Sequence, residues 1–363
     1  MIGKLAVVQA IRDAIDAAGG AIPFSEFQRL ALYGSDGFYM RDEGGRAGRR
    51  RGDFITSPEV GPLFGAVVAR YLDDTWRALG EPSPFVVVDA GAGPGTLART
   101  ILAAKPSCGA AMAYIAVETS PAQRASHPTG VESRADLPDG PFDGVIIANE
   151  MLDNVPFRLC VFDGAWREAF VVANADGSFG EVLSAALDPV PAQFPMAPNH
   201  GARAPLQDGA AGWLNDARSR LRRGRVLVID YASATTAAMS GRPWRDWLRT
   251  YHDHERGGHY LAEPGRQDIT VELALDQFSE PDTVRSQGQF LQRWGIDDLV
   301  AEGATYWADH AAAPNLAAIA MRSRGVEVKA LLDPSGLGAF SVLEWRGIGG
   351  RHDRLRANRW DPA

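Results

Sequence analysis

Residues 85–97 read Phe85-Val86-Val87-Val88-Asp89-Ala90-Gly91-Ala92-Gly93-Pro94-Gly95-Thr96-Leu97. The run at 85–88 is apolar and rich in β-branched valine, the pattern of a strand buried on both faces. Asp89 and three closely spaced glycines interrupt it, and helical spacing resumes over Thr96–Ala104. A strand that ends in an acid and enters a glycine turn before a helix is a nucleotide or cofactor loop. Its glycines let the backbone pass close to a ligand, and the helix N-terminus offers free N–H groups. The dinucleotide fingerprint G-x-G-x-x-G needs its third glycine where this chain has Thr96. That register counts against a nicotinamide oxidoreductase, which stays as a competing reading.

Working outward, Ala113–Val117, Gly144–Ala148 and Arg225–Ile229 are further buried-strand runs, separated by helical stretches that include Trp213–Leu221. Strands alternating with helices predict a doubly wound α/β fold with a mainly parallel sheet. Phe340–Trp345 reads as a late antiparallel strand closing it. Residues 1–80 form an N-terminal helical region, with Leu5, Val8, Ile11 and Ile15 on one helical face and a second helix over Leu63–Leu79. The loop between those helices carries Arg46, Arg49, Arg50 and Arg51 and is read as solvated. Residues 81–231 are the core, interrupted at 158–208 by a hairpin (Leu159–Phe162, Glu168–Val172, turning at Asp163-Gly164) and a Pro-rich loop. Residues 232–325 read as a mostly helical insertion serving as a substrate cap, and 326–363 as the closing strand and tail.

Composition narrows the partners. A net charge of −8 argues against nucleic acid, whose binders normally show a basic face. No apolar run approaches the length of a membrane span. Two cysteines, Cys108 and Cys160, without a partner at metal or redox spacing, make a cytoplasmic setting the expectation.

Glu118 follows the second strand, where a carboxylate can accept hydrogen bonds from both hydroxyls of an adenosine ribose. With Asp89 and the G-x-G-x-G register, it resembles the first motifs of the Rossmann-like class I methyltransferases. Three stretches sharpen the likeness: Leu32–Tyr39 followed by Gly52-Asp53-Phe54-Ile55-Thr56-Ser57-Pro58-Glu59, then Asp89–Leu97, then Asn149-Glu150-Met151-Leu152-Asp153-Asn154-Val155-Pro156. In this order they resemble the MidA family of S-adenosylmethionine-dependent methyltransferases. Later echoes include Asp230-Tyr231, Asp268-Ile269-Thr270 and Gln289-Phe290-Leu291. The chain departs from the family at Met151-Leu152, usually an aromatic pair, and at Arg158, usually a histidine.

The resemblance implies S-adenosyl-L-methionine as cofactor and a protein arginine as methyl acceptor. It implies cofactor contacts from Asp53, Thr56, Ser57, Pro58, Glu59, Asp89, Gly91, Gly93, Gly95, Thr96, Glu118, Asp136 and Asn149. Ser57-Pro58-Glu59 reads equally as a helix start, with Ser57 as N-cap. Methyl transfer from a sulfonium depends on in-line positioning, and a cationic guanidinium suits carboxylates that grip it as a fork. Glu150 and Asp153 are therefore expected to be catalytic, the alternative for Asp153 being a turn cap before Pro156. Tyr33, Tyr39, Arg158 and His252 are expected on the acceptor side, with Phe38 as core. His252, His254 and His259 form the one histidine cluster, but no metal is expected, because methyl transfer needs none. A small-molecule methyltransferase and a non-catalytic assembly protein retaining the cofactor fold remain alternatives.

Overall fold

The computed structural model describes residues 2–41, 56–252 and 255–349. The basic cluster at 46–51, Asp53 with the first half of its motif, His254 and the tail beyond 349 lie outside those residues. The valine run forms β1 (Phe85–Ala90), and the sheet around it contains β2 (Met112–Val117), β3 (Glu132–Arg134), β4 (Phe142–Asn149), β5 (Leu221–Asp230), β6 (Thr283–Ser286) and β7 (Ser341–Arg346). The spatial order is 3-2-1-4-5-7-6. Strands β1 to β5 pair in parallel, and β7 runs antiparallel to both β5 and β6.

Side chains alternate between the sheet's two faces. Val87, Val145, Ile147, Leu227 and Ile229 pack toward the helix Pro62–Ala78 and the helices of residues 287–331. Val88, Ile146, Ala148, Val226 and Val228 pack toward the helix Asp208–Ser219. With both faces covered, the strands read as continuous apolar runs. The chain crosses to β2 on one side of β1 and returns to β4 on the other. This opens a crevice at the carboxyl ends of β1 and β4, the usual ligand position in such sheets.

A second, five-stranded antiparallel sheet flanks the first. It comprises Ile22–Pro23, Trp166–Ala173, Arg158–Phe162 and Arg203–Leu206 in order, with Phe179–Ala186 also paired to Trp166–Ala173. The expected hairpin is present, but two more strands come after it where only a Pro-rich loop was expected. Phe179–Ala186 lacks a buried face and Arg203–Leu206 contains Pro205, so neither shows the alternation that marks a strand.

The expected division of the chain also changes. Helices Ile2–Ala17 and Phe24–Tyr33 pack on the second sheet through Val7, Ile11, Ile15, Phe24 and Phe27, while Pro62–Ala78 belongs to the central one. Residues 232–325 carry their long helices only from 287 on, with one short helix, Thr236–Ser240, and two 3-10 turns before that. Their first half is turns and short strands, including the three-stranded sheet of Leu248–His252, Glu255–Arg256 and Asp268–Val271, and β6 joins the central sheet. The helix Leu316–Leu331 runs across the expected 325/326 boundary.

One buried acid fixes the approach to the crevice. Glu327 (4% exposed) accepts the Leu63 N–H through Oε2 at 2.8 Å, and Oε1 accepts the Ser323 hydroxyl. It satisfies an orphan donor in the first turn of Pro62–Ala78 and places a negative charge at that helix's positive end. Gly61, beside it, has no room for a Cβ against the Glu327 carboxylate. Glu327→Ala should destabilise the fold by about 1–3 kcal/mol, seen as a lower urea midpoint at unchanged m-value. An unchanged midpoint would show that the contact carries no stability.

Candidate active site

A cavity of about 500 Å³ lies at the carboxyl ends of β1, β2 and β4. The glycine turn forms one wall, with φ of +72°, +55° and +81° at Gly91, Gly93 and Gly95. These values explain the residue type, because L side chains rarely adopt them. A Cβ on Gly91 would also lie 2.7 Å from Met151 Cγ. Gly95 instead faces Pro128 and His127, so its smallness serves packing behind the wall.

Glu118 pins the turn. Its Oε2 accepts the Gly93 N–H at 3.0 Å, and Oε1 accepts the Ser120 N–H at 2.8 Å and the Thr119 hydroxyl at 3.3 Å. His127 grips the other side of Gly93: Nε2 lies 2.9 Å from the carbonyl oxygen and Nδ1 2.8 Å from Ser133 Oγ. A neutral imidazole protonated at Nε2 satisfies both contacts. Asp89 lies on the wall, buried, and accepts the Tyr114 hydroxyl at 3.0 Å. Burial pushes its pKa up to about 7, against the Tyr114 hydrogen bond, and the Glu118 charge adds to the rise.

Glu150 also lines the cavity, with φ +50°, a conformation rare for a non-glycine residue and often found at functional positions. Its Oε1 accepts the Ser57 N–H and the Asn149 side-chain amide, each at 3.2 Å. Burial raises its pKa to about 8, opposed by the Ser57 N–H, with Asp230 raising it further. Beneath it lie more acids. Asp230, at the end of β5, accepts backbone N–H groups from Leu152, Asp153 and Tyr231, yet burial lifts it to about 7. Asp153 is raised by burial first, then by Asp230, Asp268 and Glu150.

Asp268 accepts the Asn154 amide at 2.9 Å and is hydrogen-bonded to the Tyr39 hydroxyl. Tyr33 donates to the Asn154 carbonyl at 3.2 Å and stacks on Tyr39, with ring centroids 5.5 Å apart. A small network from three separate parts of the chain thus holds two aromatic rings on the cavity wall.

Of the residues expected from sequence, Tyr33, Tyr39, Thr56, Pro58, Glu59, Asp89, Gly91, Gly93, Thr96, Glu118, Asp136, Asn149 and Glu150 line this one cavity. Ser57, Gly95 and Asp153 stand behind its wall. For Asp153 this corrects the expected direct role: the residue is only 4% exposed and faces the buried acids. Arg158 is also off the wall. It extends from the second sheet to Glu168 at 2.7 Å and toward Asp208 at 3.6 Å, a structural ion-pair set. His252 ends a strand of the three-stranded sheet and is not among the residues lining the cavity. His259 packs against Trp244 and Tyr260. Among the described residues no group of three or more His, Cys, Asp or Glu is arranged to hold a metal.

Sequence reading missed Gln123, Trp213, Asp216 and Arg220 on the wall and His127, Asp230 and Asp268 behind it. Asp230 had the same local signal as Asp89, an acid at the end of a buried strand. The contacts of the others join distant segments.

The donor set fits an adenosine cofactor carrying an amino-acid end. Glu118 can take ribose hydroxyls, and Asp136, Leu137 and Trp213 line the cavity with a carboxylate beside apolar and aromatic side chains. Asn149 Oδ1 is a buried acceptor without a partner among the described residues, suited to an ammonium.

Known proteins agree with that fit. Residues 67–285 match a family model described as "Putative S-adenosyl-L-methionine-dependent methyltransferase". A Drosophila melanogaster relative named a mitochondrial protein arginine methyltransferase NDUFAF7 homolog is 31% identical, over 76% of this chain and 71% of its own. The Rattus norvegicus protein arginine methyltransferase NDUFAF7 is 25% identical, over 77% and 72%. A Burkholderia thailandensis structure described as a "likely methyl transferase" bound to S-adenosyl-homocysteine superposes with a TM-score of 0.79 at 25% identity. That superposition covers 97% of this chain and 94% of the other.

The raised acids set a pH dependence. Asp89, Asp230 and Glu150 hold protons in the folded chain that the unfolded chain releases from about pH 4 upward. Their contribution to stability is complete below about pH 4 and is lost as pH rises to about 8. The urea midpoint of the ligand-free protein should therefore fall between pH 5.5 and 8, and Asp89→Asn should flatten part of that slope. A midpoint independent of pH over this range would contradict the assignment.

Proposed function

Since the chain belongs to this family of S-adenosyl-L-methionine-dependent methyltransferases, we propose that it methylates a guanidinium nitrogen of an arginine in a protein substrate. The observation that carries the reading is Glu150. Its Oε1 is fixed by two donors, its side chain lines the cavity, and the buried Asp230 and Asp153 lie close enough to act on its charge. Among the described residues, Oε2 has no hydrogen-bond partner.

S-adenosylmethionine supplies a methyl group already activated by the positive charge on its sulfur. Glu118 and Asp136 hold the adenosine portion, while Asn149, Asp89 and the glycine turn receive the amino-acid end. Thr56, Pro58 and Glu59 close the cavity beside it. Glu150 takes one guanidinium N–H at Oε2, which orients the neighbouring nitrogen and draws positive charge away from it. The stacked Tyr33 and Tyr39 present aromatic faces to the same cation. As the nitrogen accepts the methyl group, Glu150 is placed to take the proton it sheds. Asp153 works through this carboxylate, from behind the wall.

A protein acceptor is favoured over nucleic acid by the net charge of −8. No helix among the described residues is long and apolar enough to cross a membrane. A cytoplasmic site of action is part of the same proposal, in keeping with Cys108 and Cys160 as buried free thiols.

The test uses purified protein and tritiated S-adenosylmethionine with a lysate of cells lacking the gene. A labelled protein band that yields methylarginine on acid hydrolysis is the expected result. Glu150→Gln should lower its labelling rate about 100-fold while S-adenosylhomocysteine affinity, measured by calorimetry, stays within a few-fold. Label confined to small molecules would overturn the protein-arginine reading.

A further inference from the structure

Gln287 opens the helix Gln287–Arg293 directly after β6, and it is fully buried. Its Oε1 accepts the Ser57 hydroxyl at 2.9 Å, across 230 positions of sequence. Ser57 in turn donates its backbone N–H to Glu150 Oε1. Gln287 Nε2 has no hydrogen-bond partner among the described residues. A buried amide with half its hydrogen-bonding capacity unmet works against stability; an apolar side chain of equal length relieves that, while leaving the Ser57 hydroxyl without its acceptor, so the two effects offset.

Ser57 itself is spent unusually. The short helix Ser57–Val60 has no side-chain cap at Thr56. The Ser57 hydroxyl reaches across to Gln287, and this contact sets the Thr56–Ser57 peptide with its N–H toward the cavity wall.

We propose that Gln287 is a positioning residue for methyl transfer, acting through Ser57 to hold the Glu150 carboxylate with one oxygen anchored and the other turned to the acceptor. The proposal rests on the reading of Glu150 as the acceptor-binding group. Without the Gln287 acceptor, Ser57 turns, its N–H leaves Glu150, and Asn149 alone cannot fix the carboxylate. The other groups around Glu150 are Asp230 from the end of β5, Asp153 from the turn after β4, and Tyr231. None of these is a donor to its carboxylate, so none replaces the lost N–H.

The test follows the Ser57 amide by ¹⁵N–¹H NMR in serine-labelled protein saturated with S-adenosylhomocysteine. In the native chain its proton shift should titrate with Glu150, and the titration should vanish in Glu150→Gln. Gln287→Met keeps the length and removes the acceptor. It should at least halve the titration amplitude and move the midpoint upward, with a melting temperature within a few degrees of the native chain's. Gln287→Glu keeps an acceptor oxygen and should retain the amplitude. With the labelled protein as substrate, Gln287→Met should lower kcat about 10-fold and leave KM for S-adenosylmethionine within a few-fold.

A Ser57 amide indifferent to Gln287→Met overturns the relay, whatever the acceptor proves to be. A Met variant that loses the Ser57 titration only because it has partly unfolded, seen as a melting temperature lowered by more than those few degrees, also overturns it in favour of a structural role. Loss of the titration at full stability, with no protein labelled even by the native chain, supports the relay and sinks the arginine acceptor.

Discussion

Asp153, Asp230 and Asp268 are buried beneath the cavity, behind the Glu150 carboxylate on its wall. Arg249, which eases Asp153, is already engaged by Glu272. Buried carboxylates in this situation keep their protons or draw on backbone N–H groups. Asp230 shows the second solution with its three donors, and Glu150 shows a partial one, with one backbone N–H from Ser57 and the Asn149 side-chain amide. The backbone bends to meet that demand: Glu150 takes a positive φ, and the residues after it turn so that the N–H groups of 152 and 153 point inward. The crevice thus owes its shape to the charge it must shelter.

The second sheet and the N-terminal helices join the same arrangement. Gln28, fully buried on the helix Phe24–Tyr33, donates to the Ile269 carbonyl and accepts the Phe157 N–H, each at 3.2 Å. It therefore fastens that helix both to the strand carrying Asp268 and to the segment that leaves the crevice. Tyr33 ends the same helix, and Tyr39 comes after a short turn held by Phe38 and Tyr39 N–H bonds back to Ala31 and Leu32. Placing two tyrosines beside Glu150 consequently requires the hairpin insertion, the three-stranded sheet and the N-terminus together.

This dependence explains what could be read in the sequence. The Asp89–Gly95 turn and Glu118 were legible because their function is local: strand, acid and turn are contiguous, and φ above zero selects glycine. Glu150 was legible from the motif around it. Asp153 was misplaced because two residues in a 3-10 turn separate wall from interior, and no strand or helix period applies there. Arg158 was singled out because it stands where the resembled family usually has a histidine, but an arginine beside Glu168 on a sheet has a partner already. Gln287, Asp268 and Gln28 act across 114 to 241 positions, so nothing near them in sequence marks their role. Within the stretch 232–325, read as mostly helical, the strands were not legible because they are only two to five residues long, too short for a period to show.

The acid layer also bears on how charge moves during the reaction. With the proposed guanidinium acceptor, cofactor and acceptor are both cationic, and at contact distance in a cavity of low dielectric they repel. Ionised carboxylates on the acceptor side offset that repulsion, and each ionisation releases a proton that the ligand-free protein held. Transfer removes the positive charge from sulfur. The proton shed by the nitrogen can then return to Glu150, whose raised pKa makes it a competent acceptor near neutrality. The site thereby goes from two cations among ionised acids to one cation beside a protonated acid. A neutral thioether and an acceptor facing one fewer negative charge are both held less tightly than what entered. A carboxylate at its ordinary pKa would bind the acceptor well and retain the product equally well, so the burial that strains Glu150 also favours turnover.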